Sequence, residues 1–300
     1  MMAPNFKPMA QRGCPAPGTT ADPHDNVTHH HLMRSASLPM YPFPETASAT
    51  AAFWEDLRVR LVASGLDIRD VAFENPLAHA PVGVGPNVLF TQFCGYPLFK
   101  IFRDQGAVLA TPSFAFAGCE GPNHCAFFMV RARDRASQLE DLRGRVFGCN
   151  SRLSNTGMNL PRLTLARIAE GRPFFQGVVV TGGHLASLDN LHKETIDLCA
   201  IDCVTWGLFR KFRPSDAMHY RILAQTAPSP SLPYVTSTTT DERTVASLRE
   251  SLDALFLDPA TADVRETLGL TAVSVLNASA YEQLTSYEQE AAGLGYPDLE

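Results

Sequence analysis

Residues 148–163 read GCNSRLSNTGMNLPRL. A strand-like run, GRVFGCN, stops there, and a helix-like run, GMNLPRLTLARIAEG, follows at once. Ser151, Ser154, Asn155, Thr156 and Gly157 therefore sit where a helix begins, just after Asn150. The first N–H groups of a helix have no intrahelical partner, and with nearby hydroxyls they suit a phosphate-like oxyanion. Gly157 would let the backbone come close to such a ligand. The same residue types also make a plain helix N-cap.

Other polar and aromatic groups fall at comparable places. Thr181, Gly182, Gly183 and His184 close the run FQGVVVTGGH. Asp202 closes TIDLCAID, Gln92 and Tyr96 end NVLFTQFCGY, and Tyr41 ends RSASLPMY. Each has a local reading: a glycine loop, His184 as a helix cap, Asp202 as the cap of CVTWGLF. Together they point to one cleft, because ligands of open α/β sheets bind beyond the carboxyl ends of the strands.

The elements that must position these residues alternate along the chain. Strands are expected at 34–41, 70–74, from 87, at 106–114, 124–132, 175–184, 195–203 and 220–226, with another before Asn150. Helices are expected over TASATAAFWEDLRVRLVASG, where Trp54, Leu57 and Leu61 recur at helical spacing, over SLDNLHKE and over 241–258. A capping box, Ser279 with Glu282, would open a last helix. Alternating strands and helices mean an α/β protein with mainly parallel sheets. About nine strands are many for one sheet, so two lobes fit better.

Composition narrows the classes. Of the 300 residues 45% are hydrophobic and 19% charged, with a net charge of −6, which suits a globular protein with no basic stripe for nucleic acid. No stretch reaches about 18 apolar residues, so no membrane span is expected. The seven cysteines are odd in number and irregular in spacing. Cys119 and Cys125 flank EGPNH beside His124, but no second ligand pair stands at metal-site spacing, so no metal and no cofactor are expected. Residues 1–33 lack the apolar core of a secretory signal and read as a disordered tail, in which His29, His30 and His31 are solvated.

The segments GRVFGCNSRLSNTGMNLPRLTLA, VVVTGGHLASLDNLHKETIDLCAIDCVTWGL and RILAQTAPSPSLPYVTS resemble the substrate-binding proteins of phosphate, phosphite and phosphonate ABC transporters. The resemblance spans roughly residues 34–275 and rests on the order of elements more than on any one motif. It implies the type II periplasmic-binding fold, two lobes, each a mostly parallel sheet flanked by helices, with the ligand cleft between them. One lobe would comprise 34–120 plus 233–300 and the other 121–232, with FFMVRA and SPSLPYVTS as crossing strands. Ser154, Asn155 and Thr156 match the family's S-T-S oxyanion cradle, His184 its histidine and Asp202 its carboxylate; Asn155 departs from the hydroxyl residue usual there. Tyr96 or Gln92 lies near the family's aromatic, and Tyr41 is placed on position alone. The resemblance implies a small anionic ligand, an ABC transporter permease as partner and a periplasmic location, although no signal peptide is visible. Two rival readings are a cytoplasmic ligand sensor and an enzyme using His184 and Asp202 as acid and base.

Overall fold

A computed structural model describes residues 33–74, 77 and 83–300. The expected tail, with Cys14 and the three consecutive histidines, lies outside the described residues except for Met33. The chain opens with β1 (Arg34–Ser37), α1 (Ala47–Ala63), β2 (Val71–Phe73), β3 (Val88–Gln92), α2 (Gly95–Lys100) and β4 (Gly106–Phe114). It passes through β5 (Asn123–His124) into β6 (Ala126–Arg131), β7 (Val146–Cys149), α3 (Leu160–Ala169), β8 (Gly177–Val180) and α4 (His184–His192). There follow β9 (Leu198–Asp202), α5 (Cys203–Phe212), α6 (Pro214–Ala217) and β10 (Tyr220–Gln225). The return runs through β11 (Ser229–Pro230) to β12 (Tyr234–Ser237), α7 (Glu242–Leu257), α8 (Ala262–Leu268), β13 (Leu270–Ser274) and α9 (Ala278–Gly293).

Two main sheets result. One has the order β13-β4-β12-β3-β1-β2 and the other β10-β6-β9-β7-β8. Both are mixed, which corrects the expectation of mostly parallel sheets. Only β1 with β2 and β3, and β7 with β8 and β9, pair in parallel among the described strands. The antiparallel members β6 and β12 each enter a sheet directly from a crossover, so no helix intervenes to reverse the chain, and parallel pairing needs such a connection. The run FFMVR belongs to β6 inside the second sheet rather than crossing between sheets. The crossing is made by the two-stranded ladder of β5 and β11, where Ser229 opposes His124.

The apolar pattern explains the elements. α1 buries Phe53, Trp54, Leu57 and Leu61 on one face. Trp54 stacks on Phe73 of β2 and Phe90 of β3, with ring centroids 5.6 and 6.0 Å apart. Trimming Leu57 to Ala in such a core costs about 2–5 kcal/mol. β6 and β9 are buried almost throughout, as central strands covered on both faces must be. The last helix begins at Ala278 with Asn277 as N-cap, so the expected Ser279–Glu282 capping box is not formed. Glu282 instead pairs with Arg103 beyond α2. α9 also reaches past the first sheet. Its Leu284 carbonyl accepts from Asn159 Nδ2 at 2.8 Å, and beyond the helix the Glu300 carbonyl accepts from Phe174 N–H at 2.6 Å.

Candidate functional site

β7 ends at Cys149, and the following loop carries Asn150 to Leu153. A single π-type turn, Asn155–Asn159, then leads into α3. Its wider winding is seen in the bond from Asn159 N–H to the Ser154 carbonyl, 3.0 Å, five residues back. Such turns within helices are frequent at functional sites. Ser154 is the N-cap, its Oγ accepting from Gly157 N–H at 2.9 Å. Gly157 is required by space: a Cβ there would stand 1.6 Å from Asn150 Oδ1.

This turn faces a cavity of about 540 Å³ between the two sheets. Its polar wall comes from the second sheet: Asn150, Ser151, Ser154, Thr156, His184 and Asp202. Gly182 and Gly183 lie between these groups, and Gly182 has a φ of +91° that L side chains rarely adopt. Leu185 and Ala186, in the first turn of α4, also face the cavity. The N-cap of that helix is Gly183, which offers no capping side chain, so the first-turn N–H groups stay available to a ligand. Thr156 Oγ1 and His184 Nε2 lie 3.2 Å apart, tying the two helix starts together.

The opposite wall is apolar. Tyr41, Phe43, Phe93, Phe102 and Leu232 line it, with Leu153 facing them from the polar side. No Lys or Arg lines the cavity among the described residues. Tyr41 packs edge-on against Phe114 at 5.6 Å, and its buried hydroxyl has no partner among the described residues. Burial, aided by the Asp202 charge, pushes the Tyr41 hydroxyl well above the usual tyrosine range, so it stays a neutral donor.

Asp202 caps α5: its Oδ1 accepts from Val204 N–H at 2.8 Å and Thr205 N–H at 3.2 Å. Its Oδ2 lies 2.8 Å from Nδ1 of His124, and both side chains are buried. Burial disfavours the carboxylate, but the His124 charge and contact outweigh it and hold Asp202 below the usual carboxylate range. The same attraction overcomes burial at His124 and raises its pKa. Asp202 thus carries its own counter-charge. His184 moves the other way: burial lowers its pKa, so it is neutral at pH 7.

The structure brings together Tyr41, Ser151, Ser154, Thr156, His184 and Asp202 around the cavity. The others it places elsewhere. Asn155 turns to the β5–β11 crossing, its Nδ2 donating to Ser229 Oγ at 2.9 Å. Gly157 contributes backbone beneath Ser154. Gln92 donates from Nε2 to the Leu232 carbonyl at 3.1 Å and lines a separate small cavity of about 40 Å³ beside Tyr41. Tyr96 lies in the core under α9, donating to Glu288 at 2.8 Å and accepting from Lys100 at 3.1 Å. Sequence reasoning did not find His124 as the partner of Asp202. The two meet only through the pairing of Ala126 with Asp202 across β6 and β9, which no spacing along the chain encodes. It also did not find Phe93 and Phe102, which read as ordinary core residues.

Residues 91–281 match the family described as the periplasmic substrate-binding protein of phosphonate ABC transporters. No curated protein matches the chain by sequence. Several solved structures share the fold. A Xanthomonas citri protein, XAC2383, bound to ATP is 19% identical, with a TM-score of 0.63 over 87% of this chain and 97% of that one. PhnD1 of Prochlorococcus marinus in complex with methylphosphonate is 12% identical, with a TM-score of 0.65 over 86% and 98%. A binding protein component of an ABC phosphonate transporter from Pseudomonas aeruginosa is 12% identical, with a TM-score of 0.62 over 87% and 96%. Among the described residues no helix is long and apolar enough to cross a membrane. The fold, the interlobe cleft and a match over most of the chain agree: the protein belongs to the phosphonate-type periplasmic substrate-binding family, whose members are ABC transporter solute-binding components rather than enzymes.

Proposed function

We propose that the protein captures a small organic oxyanion, of phosphonate type, in the cavity between its two sheets and presents it to an ABC permease. The observation that carries this reading is the convergence of two helix starts, at Ser154–Thr156 and at Gly183–His184, on one cavity wall. Neutral hydroxyls and N–H groups would hold the anion, and the positive ends of the helices supply the favourable field. Asp202 does not oppose this, because His124 and two N–H groups already balance its charge.

The apolar wall favours an anion that carries a substituent. A bare phosphate would touch the hydroxyl side and leave Phe43, Phe93 and Phe102 uncovered. The Prochlorococcus structure holds methylphosphonate, a ligand with both features. The Xanthomonas protein holds ATP, so larger phosphate esters belong in any panel.

The test is thermal unfolding against phosphate, phosphite, methylphosphonate, phenylphosphonate and ATP. A ligand at about 100 times its Kd adds about 2.7 kcal/mol to stability, a readily visible shift in Tm. The expected order is alkyl- or arylphosphonate above inorganic phosphate. Ser154→Ala combined with Thr156→Ala should remove the shift while leaving a cooperative melt. A shift that survives this double substitution would move the anion elsewhere in the cleft.

A further inference from the structure

Three thiols meet at the start of α5, outside the ligand contacts described above. Cys203 is the first residue of that helix and is fully buried. Its Sγ lies 3.4 Å from Sγ of Cys119 and accepts from Cys125 N–H at 3.3 Å. Cys119 is partly exposed, whereas Cys125 and Cys203 are buried.

The loop that delivers Cys119 is built for this approach. Gly118 has a φ of +88°, and a Cβ on it would meet Phe127 at 2.7 Å, Cys125 Sγ at 2.8 Å and Cys203 Cβ at 3.0 Å. Only glycine lets the loop lie so close. Phe116 is seated in the same way, since a Cβ on Gly207 or Gly269 would strike its ring at 2.2 and 2.3 Å. The Cys119 N–H closes the turn on the Phe116 carbonyl at 3.0 Å. A disulfide needs its sulfurs about 2.05 Å apart. The two sulfurs are therefore little more than 1 Å short of bonding distance, held there by a fixed loop.

We propose that Cys119 and Cys203 form a reversible disulfide that fastens the β4–β5 crossover to the start of α5. Hydrogen bonds from Cys119 and Cys125 favour the thiolate of Cys203 and lower its pKa, while that of Cys119 is raised. With oxidised glutathione as oxidant, the partly exposed Cys119 passes its proton to the Cys203 thiolate, attacks one glutathione sulfur and releases a first glutathione thiolate, which takes that proton from Cys203. The Cys203 thiolate then attacks the Cys119 sulfur of that mixed disulfide and releases the second. Two electrons pass from the protein sulfurs to the glutathione disulfide; the Cys119 proton ends on the first reduced glutathione, and the second glutathione thiolate takes a proton from water. A stabilised thiolate in the reduced form makes such a disulfide easy to reduce again.

The experiment uses the full chain, reduced and then equilibrated with oxidised glutathione, blocked with N-ethylmaleimide and digested with trypsin. Cleavage at Arg103, Arg131, Lys193 and Arg210 puts Cys119 with Cys125 in peptide 104–131 and Cys199 with Cys203 in peptide 194–210. The expected result is the two peptides joined, with N-ethylmaleimide on Cys125 and Cys199 by fragmentation, lighter by two hydrogens than the sum of the two so-labelled peptides, and separated again by dithiothreitol. Cys119→Ser should abolish the joined species and Cys125→Ser should retain it. Failure of wild-type protein to give the joined peptides, or a link that survives Cys119→Ser and vanishes in Cys125→Ser, would overturn the assignment. The wild-type measurement stands even if a variant fails to fold.

Discussion

The two walls of the cleft are made differently. The wall on the second sheet consists of strand ends running straight into helix starts: β7 into the π-type turn, β8 into α4, β9 into α5. It presents hydroxyls, N–H groups and one neutralised carboxylate. The wall on the first sheet presents rings, at Tyr41, Phe43, Phe93 and Phe102. One wall is fixed by hydrogen bonds and fits a charged head group. The other is fixed by packing and fits a shape. On the function proposed above, the difference puts affinity and selectivity on opposite sheets, so each can be altered with the other left in place.

The strongest way to break the comparison is to unbalance the polar wall from beneath. His124→Gln leaves Asp202 buried without its counter-charge, and removing one partner of a buried pair costs about 3–5 kcal/mol. Equilibrium unfolding in urea should show this loss, larger than that of any substitution on the aromatic wall that keeps volume.

Next in size is the effect of Ser154→Ala with Thr156→Ala on ligand affinity. Each hydrogen bond to a charged group is worth about 1.5–3 kcal/mol, so calorimetric titration with the best phosphonate should show at least a tenfold loss. Phe93→Leu on the facing wall should instead alter the ranking of alkyl and aryl phosphonates, with a smaller effect on the affinity for methylphosphonate. A uniform loss across all ligands would contradict the division of labour.

The pH dependence of stability sharpens the picture further. The folded pKa of His124 lies above its ordinary 6.5, so its stabilisation is complete below that pH and fades as the pH rises through the folded value. Asp202 is depressed below 3.8, so its share is present above that pH and is lost as the pH falls through the folded value. His184 is depressed below 6.5 and buried neutral, so it too costs stability as the pH falls below 6.5. Wild-type Tm should therefore decline on both sides of an intermediate optimum. His124→Gln should abolish the His124 part of the alkaline decline, as read by Tm from pH 6 to 9.

The smallest effect belongs to Tyr41→Phe. The buried Tyr41 hydroxyl has no partner among the described residues, so the free protein should lose almost nothing on its removal. A drop in ligand affinity of about 1 kcal/mol would then mark that hydroxyl as a ligand donor, and an unchanged Kd would leave Tyr41 as wall alone.

The polar wall was largely legible in the sequence because its residues are local. Ser154, Thr156, His184 and Asp202 each follow a strand and open a helix, and that signal survives in one dimension. The aromatic wall was not legible, because Phe43, Phe93 and Phe102 have the same composition and spacing as core residues such as Phe53 and Phe90. Tyr96 shows the converse error. It follows a strand and a turn as the site residues do, yet α9 covers it and its hydroxyl is taken by Glu288 and Lys100. Asn155 sits inside the right motif, but its amide meets Ser229 from a crossover 74 residues away. Most strands were readable as segments of the chain, but β13 was not expected, and the antiparallel sense of β6 and β12 depends on how the two crossovers re-enter the sheets.

The placement of α9 has a consequence for rates. Its Tyr281 hydroxyl, buried between Thr111 of β4 and the Ser231 carbonyl of the return crossover, and its Leu284 carbonyl, held by Asn159, anchor one rigid rod to both halves. A cleft pinned both by the β5–β11 ladder and by such a rod cannot swing open freely. Such a cleft gives up little freedom when the ligand arrives, so its contacts go into a long residence, and the dwell time of the bound solute becomes the quantity that a transporter must overcome.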